Sequence, residues 1–367
     1  MILMSNQSVL SVNFLIVDLT IIKEFSFTIT LVTSILIFAL LTILSALGVW
    51  IIRQYAERRR IIDHPNERSS HSAPTPRGGG LAIVIIVLAA GSIAAFNSNL
   101  IHSLIYLVCG AVIAYLGWRD DVHSLSPRVR FAVQGLVALV SVLGMGYFKS
   151  VNIPLFGQLP LGIVGFIITI LWIVGLTNAY NFMDGIDGIA GGVALSAALG
   201  WMFLATHTDH TFVFWVALAI AAGSLGFLFH NWSPAKIFMG DAGSTFLGYT
   251  FAVLPLLSAS EGGDALMLGT LLMWTFIMDA GITFIRRALK RENVFAAHRT
   301  HLYQRLVIGG YKHAQVSALY ILLTLLAAAL AYAWSWGQPY APPLIIIGLP
   351  LLWLILSRTV SRLKNVD

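Results

Sequence analysis

Long apolar runs alternate with short polar breaks along most of this chain. A run of about 20 apolar residues can cross a bilayer as a helix. Helices are expected because lipid offers no partner to an exposed backbone amide. Eleven runs are predicted to span, at 28–52, 79–97, 100–117, 129–148, 161–178, 188–206, 211–230, 242–259, 265–285, 315–335 and 341–357. Those at 79–97, 100–117 and 242–259 are short or contain glycine, so their ends are the least defined. The fold class expected is an all-α polytopic membrane protein with about 11 transmembrane helices. Residues 28–357 form one integral domain, preceded by an N-terminal segment, 1–27, and followed by a polar tail, 358–367. The apolar stretch at 9–22 carries Asp18 and lacks a basic start and a small-residue cleavage site, so it does not read as a signal peptide.

Composition agrees with this pattern. The 367 residues are 58% hydrophobic and only 10% charged, against about 25% charged in soluble domains. The single cysteine, Cys109, excludes a disulfide framework and a thiolate metal site. A net charge of +6 raises nucleic acid as a partner, but in such a chain Lys and Arg chiefly set topology. Of the 22 Lys and Arg, all but Lys23 and Lys149 lie in, or within two residues of, the breaks at 53–78, 118–128, 179–187, 231–241, 286–314 and the tail. These breaks are therefore expected in the cytoplasm, with a periplasmic N-terminus and a cytoplasmic C-terminus. Asp120, Asp121, Asp184, Asp187 and Asp241 sort to that same face, as do His64, His71, His298 and His301. The opposite loops, including 149–160, read as plain connectors.

Five polar breaks carry candidate chemistry. Asp120-Asp121 ends a span; a charge at a helix centre costs about 2.5–3.5 kcal/mol, so the pair belongs at the interface. It is either a solvated helix end beside Arg119 or a carboxylate pair that binds a cation or accepts a proton. The stretch Asn178 to Gly188 holds Asn178, Asn181, Asp184 and Asp187. The two aspartates, spaced i, i+3, are expected on one face at the start of the next helix. A helix-start carboxylate is favourable through the macrodipole alone, but that leaves the asparagines unexplained. The break Asn231 to Ser244 contains Phe238 and Asp241; Asp241 reads as an N-cap or, with hard oxygen donors nearby, as a Mg²⁺–diphosphate ligand.

Arg77-Gly78-Gly79-Gly80 precedes the second span. Its backbone N–H groups are expected to be exposed and able to hold phosphate, with Arg77 as a clamp; close helix packing is the alternative. His298 and His301 lie in a loop of basic residues without a Cys or an adjacent carboxylate pair to complete a zinc site, so phosphate or nucleotide contact fits better. Carboxylates, a glycine–arginine loop, a histidine loop and a stacking Phe238 together match phosphoryl transfer, which needs positioning and charge neutralisation. A secondary transporter is the rival, but transporters gather ionisable groups near the midplane. Asp279, inside a span, is the exception and is left outside the core site.

At these residues the chain resembles the polyprenyl-phosphate N-acetylhexosamine-1-phosphate transferases, from about Asp63 to His301 by motif. The resemblance implies transfer of a sugar 1-phosphate from a UDP-amino sugar to undecaprenyl phosphate, with release of UMP. It implies Mg²⁺, with Mn²⁺ as the substitute, a bacterial inner-membrane location and a first step of O-antigen or related polysaccharide synthesis. Under it Asp241 ligates the metal, and Asp120, Asp121, Asp184 and Asp187 are catalytic. Arg77, Asn178, Asn181, Asn231, Phe238, His298 and His301 contact substrate, Phe238 by stacking on uridine. The loop reads His-Arg-Thr-His, and no lysine stands before the glycines; both features argue against a MurNAc-pentapeptide substrate and leave GlcNAc or a 6-deoxy amino sugar. Expected partners are these two substrates, the lipid bilayer and, as an open option, a second copy, with no nucleic acid.

Overall fold

The computed structural model describes residues 6–65, 73–207, 210–258, 264–293 and 298–363, with side chains from Leu31 onward. His71, Lys364 and the side chains of the 1–27 segment thus lie outside the described residues. Helices dominate. Among the described residues nine are long and apolar enough to cross a membrane: α1 (Asn6–Arg59), α2 (Gly80–Ala94, extended by a turn to Asn97), α3 (Leu100–Val122), α4 (Pro127–Met145), α5 (Val164–Met183), α6 (Ile189–His207), α7 (Thr211–Asn231), α12 (His313–Ser335) and α13 (Ala341–Ser361). Between α7 and α12 come α8 (Asp241–Leu257), α9 (Asp264–Leu272), α10 (Trp274–Leu289) and the short α11 (Leu302–Ile308). α1 continues without a break through position 27, and α13 runs past position 357.

The expected eleven runs all appear as helix, with one change of shape. The run at 265–285 is not a straight span: α9 and α10 are bent by 82° about Met273. Hydropathy reports how much apolar chain there is, and nothing about where it turns.

Burial separates an inner from an outer layer. In α7, 72% of the apolar window is buried, against 11% in α1. A helix that is hydrophobic all round shows no sequence stripe to tell these apart. α1 approaches α7 closely because small residues line the contact: Ser45 Oγ donates to Gly223 O at 2.6 Å. The connector at 149–160 is a hairpin, β1 (Ser150–Ile153) with β2 (Gly157–Pro160). Asn152 Nδ2 on it donates to Asp264 Oδ1 at 2.7 Å and so pins the start of α9. The hairpin joins the far ends of α4 and α5, opposite the ends that carry Arg130 and Asn181.

Candidate active site

The site forms where the last turn of α3, the first turns of α4 and α8 and the last turn of α5 meet. Ser126 caps α4 by accepting from Val129 N, and Pro127 sits in its first turn. This sets Arg130 one turn in. Gly240, at φ +78°, turns the chain into α8. A side chain there would meet Asp121 Oδ2 at 2.7 Å, so glycine is required on both counts. Gly117 of α3 lies so close to the backbone of Asp241 and Ala242 that no Cβ fits. Gly80 of α2 and Gly243 of α8 exclude each other's side chains in the same way, a Cβ on Gly80 lying 2.5 Å from Gly243 Cα.

The Asp120-Asp121 pair divides its roles. Asp121 is buried and accepts from the N–H groups of Asp241 at 3.0 Å and Ala242 at 3.1 Å. It therefore caps the start of α8 from another helix, where the N-terminal dipole favours an anion. Arg77 lies over it, Nε 3.8 Å from Oδ1, with an Nη2 hydrogen bond to the Asp121 carbonyl. Asp120 faces the other way. It accepts from Leu125 N at 2.6 Å and from Arg130 Nη1 at 2.7 Å. Arg130 Nη1 also stands 3.9 Å from Asp241 Oδ2. Asp241 Oδ1 accepts from Asn181 Nδ2 at 2.9 Å, and Asn181 also reaches Ser244 Oγ at 2.8 Å. Asn178 Nδ2 donates to Gln134 Oε1 at 2.7 Å and to Val174 O at 2.8 Å. Asp120, Arg130, Gln134, Asn178, Asn181 and Asp241 thus line one small cavity.

Asp184 ends α5 on the edge of this cluster. Its carboxyl is pushed up to about 8 by burial, then by the charges of Asp241 and Asp121. Negative charge is therefore in excess here. Among the described residues no three His, Cys, Asp or Glu close a metal site unaided. That donor set still fits a hard divalent cation, since Mg²⁺ commonly takes one or two carboxylates and completes its shell with water and substrate phosphates.

Several expectations need correction. Asp184 and Asp187 do not share a helix face, because α6 starts only at Ile189 and both lie in the loop before it. Asp187 points away from Asp241. Its Oδ2 meets His313 Nδ1 at 3.3 Å and accepts from Ala235 N at 3.2 Å, while its carbonyl accepts from Ser317 Oγ at 2.7 Å. Burial raises its pKa, but the His313 contact and the Ala235 N–H outweigh this and hold it below the usual carboxylate range. Asn231 does not offer its amide to a ligand: Oδ1 accepts from Gly188 N and Nδ2 donates to Ile237 O, both at 2.9 Å. It braces two loops against each other. The glycine amides are not free for phosphate either. Gly78 N and Gly79 N donate to Phe238 O, and Gly80 N to Met239 O, at 2.9–3.1 Å. The alternative reading of the glycines, close packing, is the one realised. Phe238 itself is half-buried, held by its own N–H on Pro76 O at 2.8 Å.

The histidine loop stands beside Asp184. The rings of His298 and His301 are 4.9 Å apart. Burial, then His301, Arg287 and Arg286, lowers the His298 pKa to about 4, so it is neutral near pH 7. Tyr303 Oη donates to Phe182 O at 3.1 Å and covers Gly185. The sequence does not single out Arg130, Gln134, His313 or Asp279 as site residues. Arg130 and Gln134 carry a signal: they are a polar i, i+4 pair on a largely apolar helix.

Comparison with known proteins places the chain in a family. The family model "Glycosyl transferase family 4" matches residues 103–259, which include Asp120, Asp121, Asp184 and Asp241. A Bacillus subtilis protein named probable undecaprenyl-phosphate N-acetylglucosaminyl 1-phosphate transferase is 35% identical over 291 residues, 77% of this chain and 80% of its own. The undecaprenyl-phosphate alpha-N-acetylglucosaminyl 1-phosphate transferase of Yersinia pestis is 30% identical over 325 residues, covering 84% and 86%. A decaprenyl-phosphate N-acetylglucosaminephosphotransferase of Mycobacterium leprae is 33% identical over 304 residues, 73% of this chain and 75% of its own. With carboxylates, amides and one arginine drawn to the end of a multi-pass helical bundle, and with relatives matched over most of their length, this chain belongs to the polyprenyl-phosphate N-acetylhexosamine-1-phosphate transferases of glycosyl transferase family 4, membrane enzymes that transfer sugar phosphates.

Proposed function

We propose that the chain transfers N-acetylglucosamine 1-phosphate from UDP-GlcNAc to undecaprenyl phosphate, on the cytoplasmic face of a bacterial inner membrane. The product begins an O-antigen or a related surface polysaccharide. The observation that carries this reading is the cavity shared by Asp120, Arg130, Asn178, Asn181 and Asp241. The names of the matched relatives favour GlcNAc over a 6-deoxy amino sugar.

In the reaction the acceptor's phosphate oxygen bonds to the sugar-bearing phosphorus, and the bond from that phosphorus to the bridging oxygen breaks, releasing UMP. No side chain need form a covalent bond; the chain's task is to align the two phosphates and to balance their charge. Asp120 and Arg130 line the cavity and are suited to orient the incoming phosphate, with Asp120 able to hold its proton. Asp121, committed to two backbone amides, sets the position of Asp241 rather than meeting substrate. Asn181 holds Asp241 in one rotamer. Asp241 and, on giving up its proton, the neighbouring Asp184 would hold Mg²⁺ or Mn²⁺, which when bound neutralises the diphosphate and the aspartates. Phe238 is the candidate for stacking on uracil.

The test uses membranes containing the full chain, undecaprenyl phosphate and a panel of UDP-sugars, with UMP release and the lipid product measured. UMP and undecaprenyl-diphosphate GlcNAc are expected with UDP-GlcNAc. Absence of UMP with every donor overturns the reading.

A further inference from the structure

Asp279 sits in α10, beyond the break at Met273, with its side chain fully buried. A carboxylate there is costly unless its oxygens are satisfied. Its Oδ1 accepts from Leu302 N at 2.7 Å and faces His301 Nδ1 at 3.4 Å. Oδ2 accepts from Tyr303 N at 3.1 Å and from Tyr320 Oη at 2.6 Å. Thr283 Oγ1 adds a weaker contact at 3.4 Å. Donors converge on both oxygens, which describes an ionised acid with no proton of its own. His301 Nδ1 stands 3.4 Å from an acid that only accepts, so a hydrogen is favoured on Nδ1 over a ring that carries one on Nε2 alone.

Apart from Thr283 on α10 itself, the donors come from two places. Tyr320 belongs to α12, in the bundle. His301, Leu302 and Tyr303 belong to the histidine loop and the start of α11. The same Tyr303 reaches Phe182 O and lies on Gly185, one residue from Asp184. The His301 ring stacks on Tyr303, with centroids 5.8 Å apart and planes 16° from parallel. One buried acid therefore registers the histidine loop against the carboxylate loop.

We infer that Asp279 is a positioning residue for the transfer, acting through His301 and the start of α11 to set the histidine loop against Asp184. This rests on the transferase reading above. Nothing in it requires Asp279 to touch either substrate. A plain structural cap would stabilise the bundle without altering turnover per folded molecule.

Full-length chain in nanodiscs tests this, comparing wild type with Asp279→Asn, Asp279→Glu, Tyr320→Phe, His301→Ala and the double variant Asp279→Asn/His301→Ala. Two readouts are used. Nitrogen-15 histidine spectra report the His301 tautomer without any need for turnover: Nδ1 is protonated in wild type, and that preference is lost in Asp279→Asn. Steady-state kinetics per folded molecule give the second. A misplacement of about 1 Å costs up to about 100-fold, so Asp279→Asn is expected to lose about 10- to 100-fold in kcat, with KM for the lipid unchanged. Asp279→Glu recovers part of the loss, Tyr320→Phe loses less, and the double variant is no worse than His301→Ala. An unchanged tautomer in Asp279→Asn overturns the inference, as does additive loss in the double variant or a fall in thermal stability alone. An inactive wild type with the tautomer shift intact overturns the transferase reading and leaves the registration of His301 standing.

Discussion

Asp121 and Asp279 perform the same local act. Each is a buried aspartate that accepts two backbone N–H groups at the start of a helix to which it does not belong: α8 for Asp121, α11 for Asp279. Their surroundings differ. Asp279 gathers neutral donors and a histidine, and is sealed. Asp121 holds a helix whose first residue is another aspartate, with Asp120 next to it in sequence and Asp184 nearby. The side chain of Asp241 stays 31% exposed. One carboxylate closes a structural joint; the other concentrates unbalanced charge at an opening. Burial of an acid alone does not mark a reactive site. An excess of like charge that the fold does not neutralise does.

Asp241→Asn gives the sharpest separation of the two regions. It removes the exposed acid and keeps its shape, so transfer should fall about 1,000-fold, while the thermal unfolding midpoint changes little. Radiolabel transfer assays and calorimetry on one preparation check both. Asp121→Asn should damage both quantities, because an amide cannot accept from two backbone donors as a carboxylate does. Turnover is expected to drop about 100-fold, with a clear loss of thermal stability. Equal stability in the two variants would erase the contrast drawn between Asp121 and Asp241.

Arg130→Lys comes next. Lysine keeps the charge but not the planar fork, so kcat should fall about 10-fold, and Arg130→Ala should fall further. A lysine variant with wild-type kinetics removes Arg130 from substrate alignment. Gly117→Ala tests packing alone: it forces α8 away from α3, and activity should fall although no polar atom is changed.

A pH slope tests the same region through stability rather than turnover. An unfolded aspartate titrates at about 3.9, whereas Asp184 in the folded chain titrates at about 8. Between these values the folded state holds a proton that the unfolded chain has lost, so stability falls as pH rises through this window and levels off above it. In chelator the unfolding midpoint should therefore decline from pH 5 to pH 8. Asp184→Asn should flatten that decline, and Mg²⁺ should oppose it. A profile unaffected by Asp184→Asn would show that its proton is not linked to folding.

Much of the fold was legible because each span must satisfy its own backbone in lipid, so a run of apolar residues is nearly a helix by itself. All eleven runs are helical, and the polar breaks at Asp120, Asn178 and Asp241 do meet. Less was legible in the site. The i, i+3 spacing of Asp184 and Asp187 suggested one face, but their loop turns them to different neighbours. Glycines 78–80 looked like a phosphate cradle, yet their amides face the carbonyls of Phe238 and Met239, residues about 160 positions away. Arg130 resembled a topology marker because its partner, Asp120, lies across a turn.

The sequence by itself determined the membrane class, the helices and the chemistry available, because these follow from local hydropathy and residue type. Only the tertiary structure decided which aspartates cap helices and which face the cavity, that Asn231 braces rather than binds, and that Asp279 joins the histidine loop to the site. Those outcomes depend on hydrogen-bond partners far away in the chain, and a donor's partner is chosen by packing in space.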